Sequence, residues 1–263
     1  MSKSEYAVVV SSCDAFRDLW PVFFHFWFHQ AEELPAPVYL IANRCTYADE
    51  RVRTVAVGED RHWGSNLLTV LGQLETDYIL YVQDDYLLQA PAPQEMLRQG
   101  VSFLRGTGGH FLNVYDRVVE GEATGHPDFL QILPSMKWMV HLQAALWRRA
   151  SLQEMITPGE TPWEAESSFN RQGKQRQTGF FGLNVPPAES LAYVQGIRGS
   201  FWKADAVAFC RERGVEPNLR RRPCPPSGSG WKWYRSFLKW KMRQRRRREG
   251  DIAEEIHPLR IAR

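Results

Sequence analysis

Two groups of carboxylates in this chain have the types and spacing to do chemistry. Gln83, Asp84 and Asp85 follow the apolar run YILYV directly, placing adjacent acids at the end of what reads as a central strand. Neighbouring strand residues alternate faces, so only one of the two points fully into a crevice. Burying paired acids is costly without positive charge. A hard divalent ion, Mg2+ or Mn2+, sharing a diphosphate is the partner that suits such oxygen donors, acting as a Lewis acid on the leaving group. Asp also caps turns and helices, which is the structural alternative. The second group is PWEAE, Pro162 to Glu166. On a helix Glu164 and Glu166 point about 160 to 200 degrees apart, so one can face a site while the other is solvated. A carboxylate beside an indole can have its pKa raised by desolvation, which suits a general base. Acids in a first helical turn are also favoured by the helix dipole alone. His25 and His29 lie one turn apart but lack the glutamate of an H-E-x-x-H pattern, so they read as packing residues.

The elements that position these acids are legible in outline. YAVVVSSCD reads as a buried strand ending in small polar residues, followed by a helix over 15–30 with Asp14 as N-cap and Pro21 starting or kinking it. PVYLIAN and RVRTVAV read as strands, Trp63 to Leu74 as a helix, and DYILYVQDDYLL as the strand that delivers the first acids. A helix over Gln94 to Leu104 precedes the strand candidate GGHFLNVYD, and HLQAALWRRASLQEMI reads as strand then helix. A helix begins near Pro162, strands recur at 178–183 and 191–194, and a helix covers 203–213. Over the first ~115 residues this alternation predicts a parallel α/β sheet with helices on both faces, which binds ligands at the carboxyl ends of its strands.

A chain of 263 residues, 43% hydrophobic and 24% charged, fits one large globular domain, or one domain with a small appendage, and argues against fibrous and disordered classes. The apolar runs Tyr6 to Val10 and Val38 to Ala42 fall far short of the ~18 residues of a membrane span, and MSKSEY carries no apolar signal core, so the expected compartment is the cytoplasm. Cys13, Cys45, Cys210 and Cys224 are widely spaced, which reads as free thiols rather than a zinc site. The net charge of +3 conceals an asymmetry. Residues 198–248 hold 16 Lys and Arg against 3 Asp and Glu, while the remainder holds 17 against 27. We therefore expect a main domain over 1–215, a Pro, Gly and Ser linker over 216–230 and a basic aromatic segment over 231–263. On a helix, Trp233, Phe237 and Trp240 share one side. That pattern suits an interfacial helix on anionic lipid, a grip on a phosphate backbone, or a tail whose aromatics pack on the body.

Together the motifs VVVSSCD, HWGSNLL, YILYVQDDYLL, LQAALWRRASL and TPWEAE resemble GT-A glycosyltransferases, particularly the bacterial family-2-like enzymes that build surface polysaccharides. The resemblance covers roughly residues 6 to 213. It implies a Rossmann-type mixed α/β sheet flanked by helices, a nucleotide-sugar donor and a divalent metal held by Asp85 and Asp84. Gln83 stands where the usual D-x-D pattern has its first acid, so Asp85 is the firmer ligand. The resemblance further implies that Ser11, Ser12 and Asp14, with Trp63, Gly64 and Asn66, line the nucleotide pocket, and that Glu166, or failing it Glu164, is the base of an inverting transfer. Arg198, flanked by glycines in GIRGS, is a candidate to offset phosphate charge. Trp138, Trp147 or Trp163 can stack on an acceptor sugar. The acceptor is then a glycan or lipid-linked hydroxyl presented at the inner membrane face, where the basic tail docks. Three rivals remain. A nucleotidyltransferase would show a Gly-rich phosphate loop that VVVSSCDAF lacks, a non-enzymatic nucleic-acid-binding protein would act through the Arg-rich tail, and a scaffold would have lost its acidic sites. The acidic body disfavours a nucleic-acid partner.

Overall fold

The structure, a computed structural model, describes residues 4–29, 36–117, 119–226, 232–249 and 253–259, with side chains of the last helix described through residue 245. The first half runs β1 (Tyr6–Ser11), α1 (Trp20–Phe28), β2 (Val38–Ala42), β3 (Thr46–Tyr47), β4 (Val52–Ala56), α2 (His62–Leu71), β5 (Tyr78–Gln83), β6 (Tyr86–Leu88) and α3 (Gln94–Thr107). There follow β7 (Phe111–Asn113), β8 (Gly121–Ala123), β9 (Phe129–Ile132), β10 (Ala145–Arg148), α4 (Arg149–Met155), α5 (Pro162–Arg176) and β11 (Phe180–Leu183). The chain ends with β12 (Tyr193–Gln195), β13 (Ile197–Arg198), β14 (Phe201–Trp202), α6 (Ala204–Glu212), α7 (Lys232–Glu249) and β15 (Glu255–Ile256).

Nine strands form one sheet in the order β4-β2-β1-β5-β10-β7-β11-β9-β8. The β4-β2-β1-β5 half is parallel as the alternation predicts. The sheet as a whole is mixed, because β10 inserts antiparallel between β5 and β7. Period-2 side-chain alternation divides the core. Val8, Val10, Leu80 and Val82 face α1 and α3, while Val9, Ile79 and Tyr81 face α2, α4 and α5. This explains why β1 and β5 read as unbroken apolar runs: both faces are covered.

One local expectation is corrected. Residues 15–30 do not form a single helix capped by Asp14; a 3-10 turn occupies Asp14–Phe16, and α1 begins at Trp20 with Pro21 in its first turn. The reason lies in the Asp14 carboxylate. It accepts the backbone N–H groups of Asn43, Arg44 and Cys45 at 2.8, 2.8 and 3.2 Å, so it ties the end of β1 to the loop after β2 instead of capping a helix.

Toward the C-terminus, Arg222 is buried inside the stretch expected as a linker. Its guanidinium grips Asp18 through two 3.0 Å hydrogen bonds and also donates to the carbonyls of Ser200 and Ala15, both at 3.1 Å. Beyond α7 the chain returns, and β15 pairs in parallel with β3. Helix α7 is therefore anchored on both flanks. It rests on the body through buried Leu238, with Arg235 and Lys239 over the Phe201 ring. Among the described residues no helix is long and apolar enough to cross a membrane.

Candidate functional site

β1 and β5 run side by side so that Ser11 lies opposite Gln83, and both strands deliver their polar ends to one edge. There the chain turns, and Asp84 and Asp85 are both buried. The Ser12 hydroxyl donates to Asp84 Oδ2 at 2.5 Å and accepts the indole N–H of Trp20 at 2.7 Å. Asp85 Oδ2 accepts the backbone N–H of Ile197 at 3.0 Å, while its carbonyl accepts that of Gly196 at 2.7 Å. Burial pushes the Asp84 carboxyl well above the ordinary range, and the neighbouring Asp85 charge adds to this. Burial likewise raises Asp85 to about 6, opposed mainly by the Ile197 N–H. Neither carboxylate has an ion-pair partner among the described residues. The nearest compensation is the field of Arg222 on both, and of Lys203 on Asp85.

This donor chemistry fits a divalent ion of the magnesium or manganese type. Two desolvated, adjacent carboxylates are hard oxygen donors in need of positive charge, and such ions commonly take only one or two carboxylates and fill their remaining positions with substrate phosphate and water. The described residues hold no group of three His, Cys, Asp or Glu able to form a cage alone.

The expected nucleotide-lining residues divide between two kinds of position. The Trp63 indole N–H reaches both Ser11 Oγ and the Tyr81 hydroxyl at 3.1 Å, joining α2 to the ends of β1 and β5. Ser12, as described, holds Asp84. By contrast, Gly64 and Asn66 make contacts that build α2. A Cβ on Gly64 would lie 2.6 Å from the Thr157 carbonyl oxygen, so only glycine permits the approach of the 157–160 turn. Asn66 accepts the Arg61 N–H at 3.3 Å and donates to Asp60 at 2.9 Å, closing the turn that enters the helix. Arg198 is exposed on the β13–β14 hairpin.

The second carboxylate group separates cleanly. Thr161 and Glu164 form a reciprocal capping box: Glu164 Oε2 accepts the Thr161 N–H and hydroxyl, both at 2.8 Å, and Thr161 Oγ1 accepts the Glu164 N–H. Those bonds hold the exposed Glu164 carboxyl below its ordinary range. Glu166, two residues on, lies on the other side of α5. Its Oε1 accepts the Leu142 N–H at 3.1 Å, and it lines a cleft of about 340 Å³ with Tyr115, Arg117, Trp138 and Tyr193.

The rest of that cleft is a set of fixed donors and rings. His141 is buried, and its Nδ1 accepts the Gln143 N–H at 3.1 Å, which puts the proton of the neutral ring on Nε2. Burial, and secondarily the charge of Arg117, lower His141 to about 3, so it is neutral at ordinary pH and is no general base there. Tyr193 donates its hydroxyl to Gln143 and stacks between Tyr86 and Tyr115 at centroid distances of 4.2 and 4.5 Å. Of the candidate sugar platforms, Trp138 lines the cleft, Trp147 is fully buried in the core, and Trp163 stands exposed on α5.

Two hydrogen-bonded routes join the cleft to the acid pair. Gln195 lines the cleft, and its successors Gly196 and Ile197 hold Asp85. Leu142 donates its N–H to Glu166, while its carbonyl accepts Gln83 Nε2 at 3.2 Å and the Tyr86 hydroxyl at 2.9 Å. Gln83, at the place where the D-x-D pattern has an acid, thus braces the segment that holds Glu166. Sequence reasoning missed Arg117, His141, Gln143 and Gln195, which come from three separate stretches with no common spacing.

The architecture is a GT-A-like mixed α/β sheet flanked by helices. Among solved structures, the chain superposes on the mannosyltransferase PcManGT from Pyrobaculum calidifontis in complex with GDP-Man and Mn2+, with a TM-score of 0.50 at 14% identity over 81% of this chain and 62% of that one. It is also similar to S. aureus TarS 1-349 in complex with UDP-GlcNAc, with a TM-score of 0.49 at 13% identity over 74% and 59% of the two chains. The chain thus spans about three-fifths of the length of these proteins. No protein family and no curated protein sequence matches it.

Proposed function

We propose that the chain is a nucleotide-sugar-dependent, inverting glycosyltransferase of the family-2-like kind, acting at the cytoplasmic face of the membrane in bacterial surface polysaccharide assembly. The observation that carries this reading is the placement of an open, aromatic-walled cleft containing Glu166 beside a pair of buried acids with no ion-pair partner among the described residues, joined through 195–197 and Leu142. The fold it shares with a mannosyltransferase that binds GDP-Man and Mn2+ supports the same assignment.

Asp85 and Asp84 would hold Mn2+ or Mg2+ together with the donor diphosphate; the ion, when bound, offsets charge on the departing diphosphate. Ser11, Ser12, Asp14, Trp63, Gly64 and Asn66 form or support the nucleotide end, and Arg198, exposed on the hairpin, is the candidate to offset phosphate charge. Trp138 provides a flat apolar face for a sugar ring. Glu166, oriented by the Leu142 N–H, accepts the proton of an acceptor hydroxyl as its oxygen attacks the anomeric carbon. The bond from that carbon to the phosphate oxygen breaks, and nucleoside diphosphate leaves. The test is calorimetric binding of a nucleoside diphosphate panel with and without Mn2+. Metal-dependent binding of one nucleotide, lost in Asp85→Ala with the fold intact, supports the assignment; absence of binding to every nucleotide overturns it.

The acceptor is a glycan or lipid-linked hydroxyl, and α7 is the membrane contact. At 100 degrees per residue, Arg235, Leu238 and Lys239 face the body, while Trp233, Phe237 and Trp240, exposed at 70%, 49% and 56%, point the opposite way. Lys241 and Arg243 are exposed on the same helix. A surface with outward aromatics and cations suits an anionic bilayer. Replacing the three aromatics by Ser abolishes binding to anionic vesicles on this account. Retained vesicle binding, or preference for duplex DNA over vesicles, removes the membrane assignment.

A further inference from the structure

Among the described residues that line the cleft beside α5, Arg117 is the one Lys or Arg, and no described residue pairs with it. Arg117 is half-buried, yet among the described residues it makes no hydrogen bond and no ion pair. Glu166, the acid whose charge it senses, lies beyond ion-pair distance and spends Oε1 on the Leu142 N–H. The other polar groups of the cleft offer Arg117 no negative charge. His141 is neutral, Gln143 is taken by Tyr193, and Gln195 is an amide. A partly desolvated guanidinium is costly to keep in this way. Its planar fork of donors matches a carboxylate or a phosphate ester in two-point contact.

Position decides between the possible sources of such an anion. Arg117 shares the cleft with Trp138 and Glu166, the groups suited to a sugar ring and its hydroxyl, whereas the diphosphate end lies at Asp84 and Asp85. We infer that the cleft selects a sugar carrying an acidic group, a carboxylate or a phosphate ester, with Arg117 as the residue that recognises the anion and Trp138 as the platform under the ring. This deepens the transferase reading and rests on it, since it assigns the cleft to the acceptor.

The test is ligand-observed saturation-transfer NMR and competition titration with methyl β-D-glucuronide, glucose 6-phosphate and methyl β-D-glucoside on the full chain, as wild type, Arg117→Gln and Arg117→Lys. Circular dichroism melts confirm that the variants are folded. The expected result is preference for the two acidic sugars over the neutral glucoside. Arg117→Gln weakens acidic-sugar binding by about 10- to 100-fold, the size of a lost hydrogen bond to a charged group, and leaves the glucoside unchanged, while Arg117→Lys retains part of the preference. Equal response to acidic and neutral sugars, including no response to any, overturns the inference. Loss of nucleoside diphosphate binding in Arg117→Gln with acidic-sugar binding unchanged also overturns it and moves Arg117 to the donor phosphates. The nucleotide panel on wild-type protein tests the transferase reading separately: acidic-sugar binding without any nucleotide binding keeps the recognition site and discards the transferase.

Discussion

At the carboxyl end of β5, two acids are buried with no cation in ion-pair range among the described residues, whereas the cleft beside α5 places an acid and an unpaired arginine in an open space with water access. The first region is short of positive charge; the second carries both signs and holds them apart. The contrast gives one sheet edge two environments of opposite character. Buried carboxylates with raised pKa values favour an incoming cation and the phosphates that accompany it. An open cleft of rings, amides and a neutral histidine favours a hydroxyl-rich ligand that forms directional hydrogen bonds.

The most direct way to break this division of labour is to neutralise each acid separately. Glu166→Gln is expected to lower transfer about 10²- to 10⁴-fold, the range for a lost general base, with nucleoside diphosphate affinity unchanged. Glu164→Gln should lower transfer little, because its carboxylate is committed to Thr161; its cost falls on the start of α5. Steady-state kinetics beside nucleotide titration reads both. A larger rate loss in Glu164→Gln than in Glu166→Gln would reassign the base to the other side of α5.

The β5 end makes the opposite kind of prediction, since removing a functional acid there should strengthen the fold. Asp85 is nearly buried and lacks a paired cation, and an amide at its position can still accept the Ile197 N–H. Asp85→Asn is therefore expected to stabilise the metal-free protein by about 1–3 kcal/mol at neutral pH, read as a higher midpoint in urea, and to lose any stabilisation by Mn2+ with nucleoside diphosphate. A destabilised Asp85→Asn would mean that the carboxylate is already compensated within the protein and has no need of an ion.

The two regions also differed in how far the sequence exposed them. The acid pair was legible because both residues follow a strand whose five apolar neighbours identify it, and strand ends in such sheets gather at one edge. The antiparallel course of β10 was not, because AALW has the same apolar content whichever way it runs. The choice between Glu164 and Glu166 was open to a reader of the sequence in one further respect: Thr161 followed by Glu164 is a capping-box spacing, and it commits the first glutamate to the helix start. Asp14 shows the reverse case. Its place before a helical stretch suggested a cap, but its amide partners lie about thirty residues away, and only the β1–β2 pairing brings them near. The cleft stayed hidden for the same reason, since Arg117, His141 and Gln195 meet only through the sheet order.

The contrast between the regions also rests on the neutral state of His141. Burial lowers His141 to about 3 from the ordinary 6.5. The folded state therefore resists a proton that the unfolded chain accepts. The associated stability is fully present above pH 6.5 and is lost as pH falls from there toward 3. At pH 5 the loss approaches about 2 kcal/mol for a group shifted this far, at roughly 1.4 kcal/mol per unit. His141→Asn keeps an acceptor for the Gln143 N–H but has nothing to protonate. Its stability relative to wild type should accordingly improve by about 2 kcal/mol between pH 7.5 and pH 5, measured by urea unfolding at each pH. A flat difference would mean that His141 takes up its proton inside the fold. The cleft would then hold a histidine able to carry a proton, and the proton transfer proposed for Glu166 would be shared with it.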